Sequence, residues 1–200
     1  MKKEDMRTKR TKKALKTALI KLMHIETIDV ISVTDICTEA EINRVTFYTH
    51  YSDKFSLLYE VLLDLKHVIQ TLTKNYLAAN KTNDPIHDFT NSMSHAVYKV
   101  CFENKSFIKS LSQKENSVLI EMIDDIIVSE GVKNLIQVEP ILKSNFPPKF
   151  TVSFLLGGFS KLIFDYCLNE ENITEKEFFS HFEKLFYSII KSEIFFTFNK

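Results

Sequence analysis

Residues 31 to 62, ISVTDICTEAEINRVTFYTHYSDKFSLLYEVL, read as two short helices and the start of a long one, set apart by abrupt turns. Ser32 stands before Val33, Ile36, Cys37 and Ala40, and Asp35 lies three residues beyond it, where a carboxylate can return a hydrogen bond to the cap. This predicts a second helix of about two turns. Glu41 and Ile42 form a tight turn. Asn43 is a favoured N-cap for a third helix, from Arg44 to about residue 51, on which Phe47 and Tyr51 share one face and are assigned to the core. Ser52 and Asp53 cap the next helix, whose stripe of Phe55, Leu58, Leu62, Leu65, Ile69, Leu72 and Tyr76 persists for about six turns.

Upstream, Leu15, Ala18, Leu19 and Leu22 fall at helical spacing from Thr11 onward, which predicts a first helix ending near His24 behind a flexible basic arm. Downstream, Asp84 and Pro85 start a helix that runs to about residue 104. Further stripes follow at Leu119, Met122, Ile123, Ile126 and Ile127, and at Val132, Leu135 and Ile136. After Pro147 and Pro148 comes one at Val152, Leu155, Leu156, Phe159, Leu162, Ile163 and Tyr166. Thr174 and Glu177 make a capping box for a last helix that runs into the aromatic tail, residues 194–198. The expectation is an all-α chain of about nine helices: a three-helix, helix-turn-helix head and an all-helical regulatory and dimerisation body.

Three Gly and four Pro in 200 residues are too few for a turn-rich β fold, and 44% hydrophobic residues suit a globular chain. The formal charge is zero but uneven. Residues 1 to 21 hold nine cations against two anions, +7, so the remainder carries −7. A basic end on an acidic body suits a polyanion bound at one end. Cys37, Cys101 and Cys167 are odd in number and widely spaced, which indicates reduced thiols rather than a disulfide framework or a metal site. A Gly-rich phosphate loop, a nucleophile elbow and an HExxH pair are all missing from the sequence, so neither an enzyme nor a cofactor is expected. With no signal-like apolar segment and no apolar run of about 18 residues, the expectation is a cytoplasmic protein without membrane contact.

Over roughly residues 10 to 62 the sequence closely resembles the N-terminal domain of the tetracycline-repressor (TetR/AcrR) family of bacterial transcriptional regulators. The third-helix pattern of that family is matched here by Arg44, Val45, Thr46, Phe47, Tyr48, Thr49, His50, Tyr51 and, at the start of the fourth helix, Lys54. The resemblance and side-chain chemistry together imply that Thr34, Thr46, Tyr48, His50 and Lys54 hold DNA phosphates, while Arg44, Val45 and Thr49 face base edges. Arg44 has the planar fork that suits guanine O6 and N7, and Val45 suits a thymine methyl. Residues 9 to 13 either enter the minor groove or add counterion-release affinity. One departure stands out: the family usually has Gly in the turn after the second helix, and this chain has Glu41.

The resemblance further implies domains at 1–54 and 55–200, a homodimer through the last two long helices, and a possible small-molecule effector. Gly157 and Gly158 suggest a close helix crossing there. His67, His87, His95 and the many Phe are compatible with a cavity, without singling out ligand residues. A dimer spacing its reading helices by about one DNA turn calls for a near-palindromic operator. The function implied is a sequence-specific regulator, a repressor by preference. The alternative is an adaptor or co-activator of the same fold that acts through another protein with little operator reading.

Overall fold

A computed structural model describes residues 6–112, 142–168, 174–192 and 194–198, and these divide between two compact units. The first unit comprises Met1–Asp64 and Lys105–Glu115, the second Leu65–Asn104 and Asn116–Lys200. Eight helices and one pair of short strands occur among the described residues.

In the first unit, α1 (Met6–Met23) turns Leu15, Ala18, Leu19 and Met23 inward. Residues 9–13, expected as a flexible arm, are helical. The sequence KRTKK contains neither Gly nor Pro, and a nucleated helix propagates until something stops it. Helix α2 (Val33–Glu39) is followed by α3 (Arg44–Tyr48) and by the first turns of α4 (Lys54–Ala79). Helix α6 (Lys105–Ser112) packs on α1 and buries Phe107; the sequence reading did not anticipate this helix. Around Leu15, Leu19 and Phe47, all fully buried, the core also holds Met23, Ile28, Ile31, Ile36, Leu57 and Leu58.

The second unit holds the rest of α4, α5 (Pro85–Glu103), α7 (Pro148–Leu168) and α8 (Glu175–Lys191). Asp84 caps α5 by accepting from the N–H groups of Ile86 and His87, with Pro85 at the first turn, and the Thr174–Glu177 capping box opens α8. Val152, Leu155, Phe159, Phe182, Phe186 and Phe196 form one apolar cluster, with Met93 of α5 packed against it. The aromatic tail does not extend α8. It forms β2 (Phe196–Phe198), antiparallel to β1 (Leu142–Ser144), with Leu142 opposite Phe198 and Ser144 opposite Phe196. Neither glycine of α7 marks a close crossing among the described residues: a Cβ at Gly157 or Gly158 would meet nothing within 4 Å. The stripes expected at 119–127 and 132–136 lie outside the described residues. No described helix is long and apolar enough to cross a membrane.

Candidate nucleic-acid interface

Local hydrogen bonds fix the geometry from Ser32 to Ser56. The Ser32 hydroxyl accepts from the Asp35 N–H at 3.2 Å, and Asp35 Oδ2 accepts from the Ser32 N–H at 2.8 Å, a reciprocal box that opens α2. The Ser32 hydroxyl also donates to Asp35 Oδ2 at 2.6 Å, and this bond, together with that from the Ser32 N–H, holds the Asp35 carboxyl below its ordinary pKa. Helix α2 closes on a left-handed residue, as Glu41 has φ of 54° and is the only positive-φ residue described. The Ile42 N–H then reaches the Cys37 carbonyl at 2.9 Å and the Glu41 N–H reaches Thr38 at 3.1 Å. That pair of bonds is a Schellman stop, which satisfies carbonyls that the helix end leaves unpaired.

Asn43 Oδ1 accepts from the Val45 N–H at 2.8 Å and so opens α3 one residue after that stop. Regular helix covers Arg44–Tyr48, shorter than the sequence reading had it, yet the Tyr51 N–H still bonds to the Phe47 carbonyl at 3.0 Å. Phe47 is fully buried and Tyr51 nearly so, their rings 5.7 Å apart. With those two rings facing inward, Arg44, Val45, Tyr48 and Thr49 are left exposed on the opposite face, Val45 at 72%. The Tyr48 ring meets Phe47 edge-on at 5.4 Å, so its hydroxyl projects from a braced base. Thr49 donates to the Thr46 carbonyl at 2.6 Å. Thr34 is exposed near the start of α2; Thr46 and His50 are half-buried.

Lys54, assigned to a DNA phosphate from the sequence, opens α4. Its Nζ donates to the carbonyls of Asp29 at 3.0 Å and Ile31 at 2.8 Å, the strand of chain that leads into α2. Two of its three donors are therefore committed inside the head, and the side chain ties the start of α4 to the start of α2.

Apart from Arg7, the basic residues of α1 split into two groups. Lys12 and Lys16 pair with Glu60 at 3.3 Å, Lys16 also with Asp64, and Lys21 with Glu39. Burial raises the pKa of Glu60, but hydrogen bonds from Tyr51 and Lys12 and the charges of both lysines outweigh it and bring it below the ordinary value. Lys9, Arg10 and Lys13 are exposed and, at i, i+1 and i+4, share one side of the helix. Sequence reasoning took them for part of a mobile arm; the absence of Gly and Pro was the signal for a rigid basic face.

No family model matches this chain and no curated protein matches it. Solved structures do match. A chain described as a TetR-family transcriptional regulator from Syntrophomonas wolfei aligns at a TM-score of 0.74 and 17% identity, over 93% of this chain and 97% of the other. A second, described in the same terms and from a Rhodococcus species, aligns at 0.66 and 16%, over 92% of this chain and 100% of the other. A third, RolR in complex with resorcinol, aligns at 0.64 and 16%, over 94% and 90%. The fold of this chain is that of the TetR-family regulators.

Proposed function

We propose that this chain is a cytoplasmic, homodimeric, sequence-specific DNA-binding transcriptional regulator that represses by occupying a near-palindromic operator and is released by a small molecule. The observation that carries this reading is the two-sided construction of α3. Phe47 and Tyr51 lock its inner face into the core, and Arg44, Val45, Tyr48 and Thr49 stand out from a polar, solvent-exposed face. A major groove about 12 Å wide admits one such helix, read through its exposed side chains. Arg44 and Val45 are assigned to base edges with Thr49; Thr34, Thr46, Tyr48 and His50 to phosphates. The basic side of α1 supplies further phosphate affinity, and Lys54, with its remaining donor, both holds a phosphate and ties α4 to the start of α2.

The exposed apolar stripe on α7 supports a dimer through the last two helices. Phe150, Phe154 and Leu162 are 59%, 62% and 42% exposed, with open space over Gly157 and Gly158, and Leu185 of α8 is 44% exposed. A second copy covering that stripe sets two heads on one duplex, which is what a palindrome requires. That a chain of this fold holds resorcinol supports an effector for this one.

The test is binding of the full chain to DNA from its own upstream region across a salt series, with Arg44→Ala and Tyr48→Ala beside the parent. Sequence-selective binding, reduced about tenfold or more for the competing site preference by Arg44→Ala, supports operator reading. Weak binding indifferent to sequence and to both substitutions instead supports an adaptor of the same fold.

A further inference from the structure

In the first unit Glu60 of α4 draws together two other parts of the head. Lys12 and Lys16 of α1 each approach its carboxylate at 3.3 Å, and the hydroxyl of Tyr51, just beyond α3, donates to the same group. The Lys12 ammonium also lies over the Tyr51 ring, 5.7 Å from its centroid, at the seam between α1 and the end of α3. Lys12 therefore stands beside the helix assigned to the major groove, yet it faces an anion of its own chain. Its neighbours Lys9, Arg10 and Lys13 are exposed. The Lys12 and Glu60 side chains are 28% and 29% exposed, and salt screens a pair so placed less than one on the open surface. Lys16 is held by Asp64 as well as by Glu60.

We propose that Glu60 is an internal counter-anion of the head: it competes with DNA phosphates for Lys12 and Lys16 and so caps the sequence-independent part of DNA affinity. It is a positioning residue, acting through the two lysines without touching DNA. Each phosphate that a protein neutralises releases counterions and adds to binding whatever the sequence, so the number of cations left available on α1 sets how strongly the head holds any duplex. The carboxylate is fixed beside the lysines whereas phosphates arrive from solution, and each phosphate must displace it. Since a regulator meets far more non-operator than operator DNA, a cap on this term shortens its stay at wrong sites. The assignment rests on the DNA-binding reading above and adds a restraint to it: Lys9, Arg10 and Lys13 are offered to phosphates, and Lys12 and Lys16 are withheld.

The test is binding of the full chain to a labelled non-operator duplex of mixed sequence, followed by fluorescence anisotropy from about 50 to 200 mM salt. Glu60→Gln keeps an oxygen acceptor for Tyr51 and removes the charge. Its plot of log affinity against log salt should steepen by about 0.9, and its affinity near 100 mM should rise roughly fivefold to tenfold. Lys16 keeps Asp64 in that variant, so the larger change falls on Lys12, and Glu60→Gln with Lys12→Ala should lose most of the gain. Glu26→Gln, which removes an exposed carboxylate from the same unit, should leave the slope alone. A damaged head lowers affinity, so a gain cannot come from loss of fold. A slope unchanged by Glu60→Gln, an equal steepening in Glu26→Gln, or a gain that survives Lys12→Ala in full overturns the assignment. Sequence preference is read separately, on DNA from the upstream region. Steepening in a chain that prefers no sequence leaves Glu60 as a cap on polyanion binding and removes the regulator reading. A selective chain whose slope ignores Glu60→Gln does the reverse, and no binding to any duplex by parent or variant overturns both.

Discussion

The N–H of Ile42 donates to the carbonyl of Cys37 at 2.9 Å, across a turn whose pivot is a glutamate with φ of 54°. That bond requires a left-handed residue at position 41, and the residue there carries a Cβ that such a conformation crowds, at a cost of about 1–2 kcal/mol. The helix-turn-helix is thus set by a strained residue where Gly fits without strain. The strain is tolerated because α2 and α3, capped by Ser32 and Asn43, fix both ends of the turn.

Replacing Glu41 with Gly should therefore stabilise the chain by about 1 kcal/mol, the relief of strain less the extra unfolded-state freedom of Gly. For a chain of this size that is about 2–4 °C in melting temperature. Glu41→Ala keeps the Cβ and should give none of the gain. Thermal unfolding of the three proteins side by side decides it, and an alanine variant as stable as the glycine one would remove strain as the cause.

Lys54→Ala should lower stability by about 1–3 kcal/mol, since it leaves the carbonyls of Asp29 and Ile31 without their charged donor. DNA affinity should fall with it because α2 loses its anchor. The dependence of affinity on salt should lose about 0.9 of its slope as well, because a phosphate contact goes with the side chain. A salt titration of the variant separates the two roles, and an unchanged slope would take Lys54 off the phosphate backbone.

The parts of this site that could be read in advance are those governed by neighbours within four residues. Ser32 with Asp35, Asn43, Asp84 with Pro85, and Thr174 with Glu177 all cap the helices their spacing announces. The inward pair Phe47 and Tyr51 follows from i, i+4 spacing, and the outward face of α3 follows from that pair. Contacts between distant positions left no local trace. Lys54 finds its acceptors 25 and 23 residues away, and β2 pairs with a segment more than fifty residues earlier. Helix α6 was missed although Phe107, Ile108 and Leu111 stand at i, i+1 and i+4, because KSFIKSLS spans barely two turns directly after another helix.

In the second unit, acid should act through Asp84. The Tyr187 hydroxyl donates to its Oδ2 at 2.6 Å, and Lys191 approaches at 3.2 Å. The bond from Tyr187, opposed by partial burial and reinforced by the His87 N–H, Lys191 and the Ile86 N–H, holds this carboxyl well below the ordinary carboxylate range. A depressed pKa contributes stability that is complete above the unfolded value, about pH 4, and is lost as the pH falls below it. Asp84→Asn retains the helix cap and removes the charge. The variant should be less stable at pH 7, by a gap that holds down to about pH 4 and begins to narrow below it. Melting curves from pH 7 to pH 3 test this; a gap that stays constant would exclude the carboxylate.

Gly157→Leu should act in opposite directions on fold and assembly. No described atom lies within 4 Å of the added Cβ, and leaving Gly behind favours the helix by up to about 1 kcal/mol. A partner chain lying over that stripe would meet the new side chain. Sedimentation should show a monomer whose fold is no less stable than the parent, together with weaker operator binding from the loss of paired half-sites. An intact dimer in this variant would move the interface off α7.

Phe47 and Val45 lie two residues apart on α3 and should fail in different ways. Phe47 is fully buried between Tyr48 and Tyr51, so Phe47→Ala removes a core ring and should cost about 3–5 kcal/mol. Its DNA binding should then decline in step with the folded fraction. Val45 is 72% exposed, and Val45→Ala should change stability by less than about 0.5 kcal/mol. If Val45 reads a thymine methyl, its loss alters which base is preferred at one operator position while phosphate-driven affinity is kept. Selection of binding sites from a randomised operator by the parent and Val45→Ala, each checked by chemical unfolding, measures both effects. An unchanged site preference would take Val45 out of the base-reading set and leave recognition to Arg44 and Thr49.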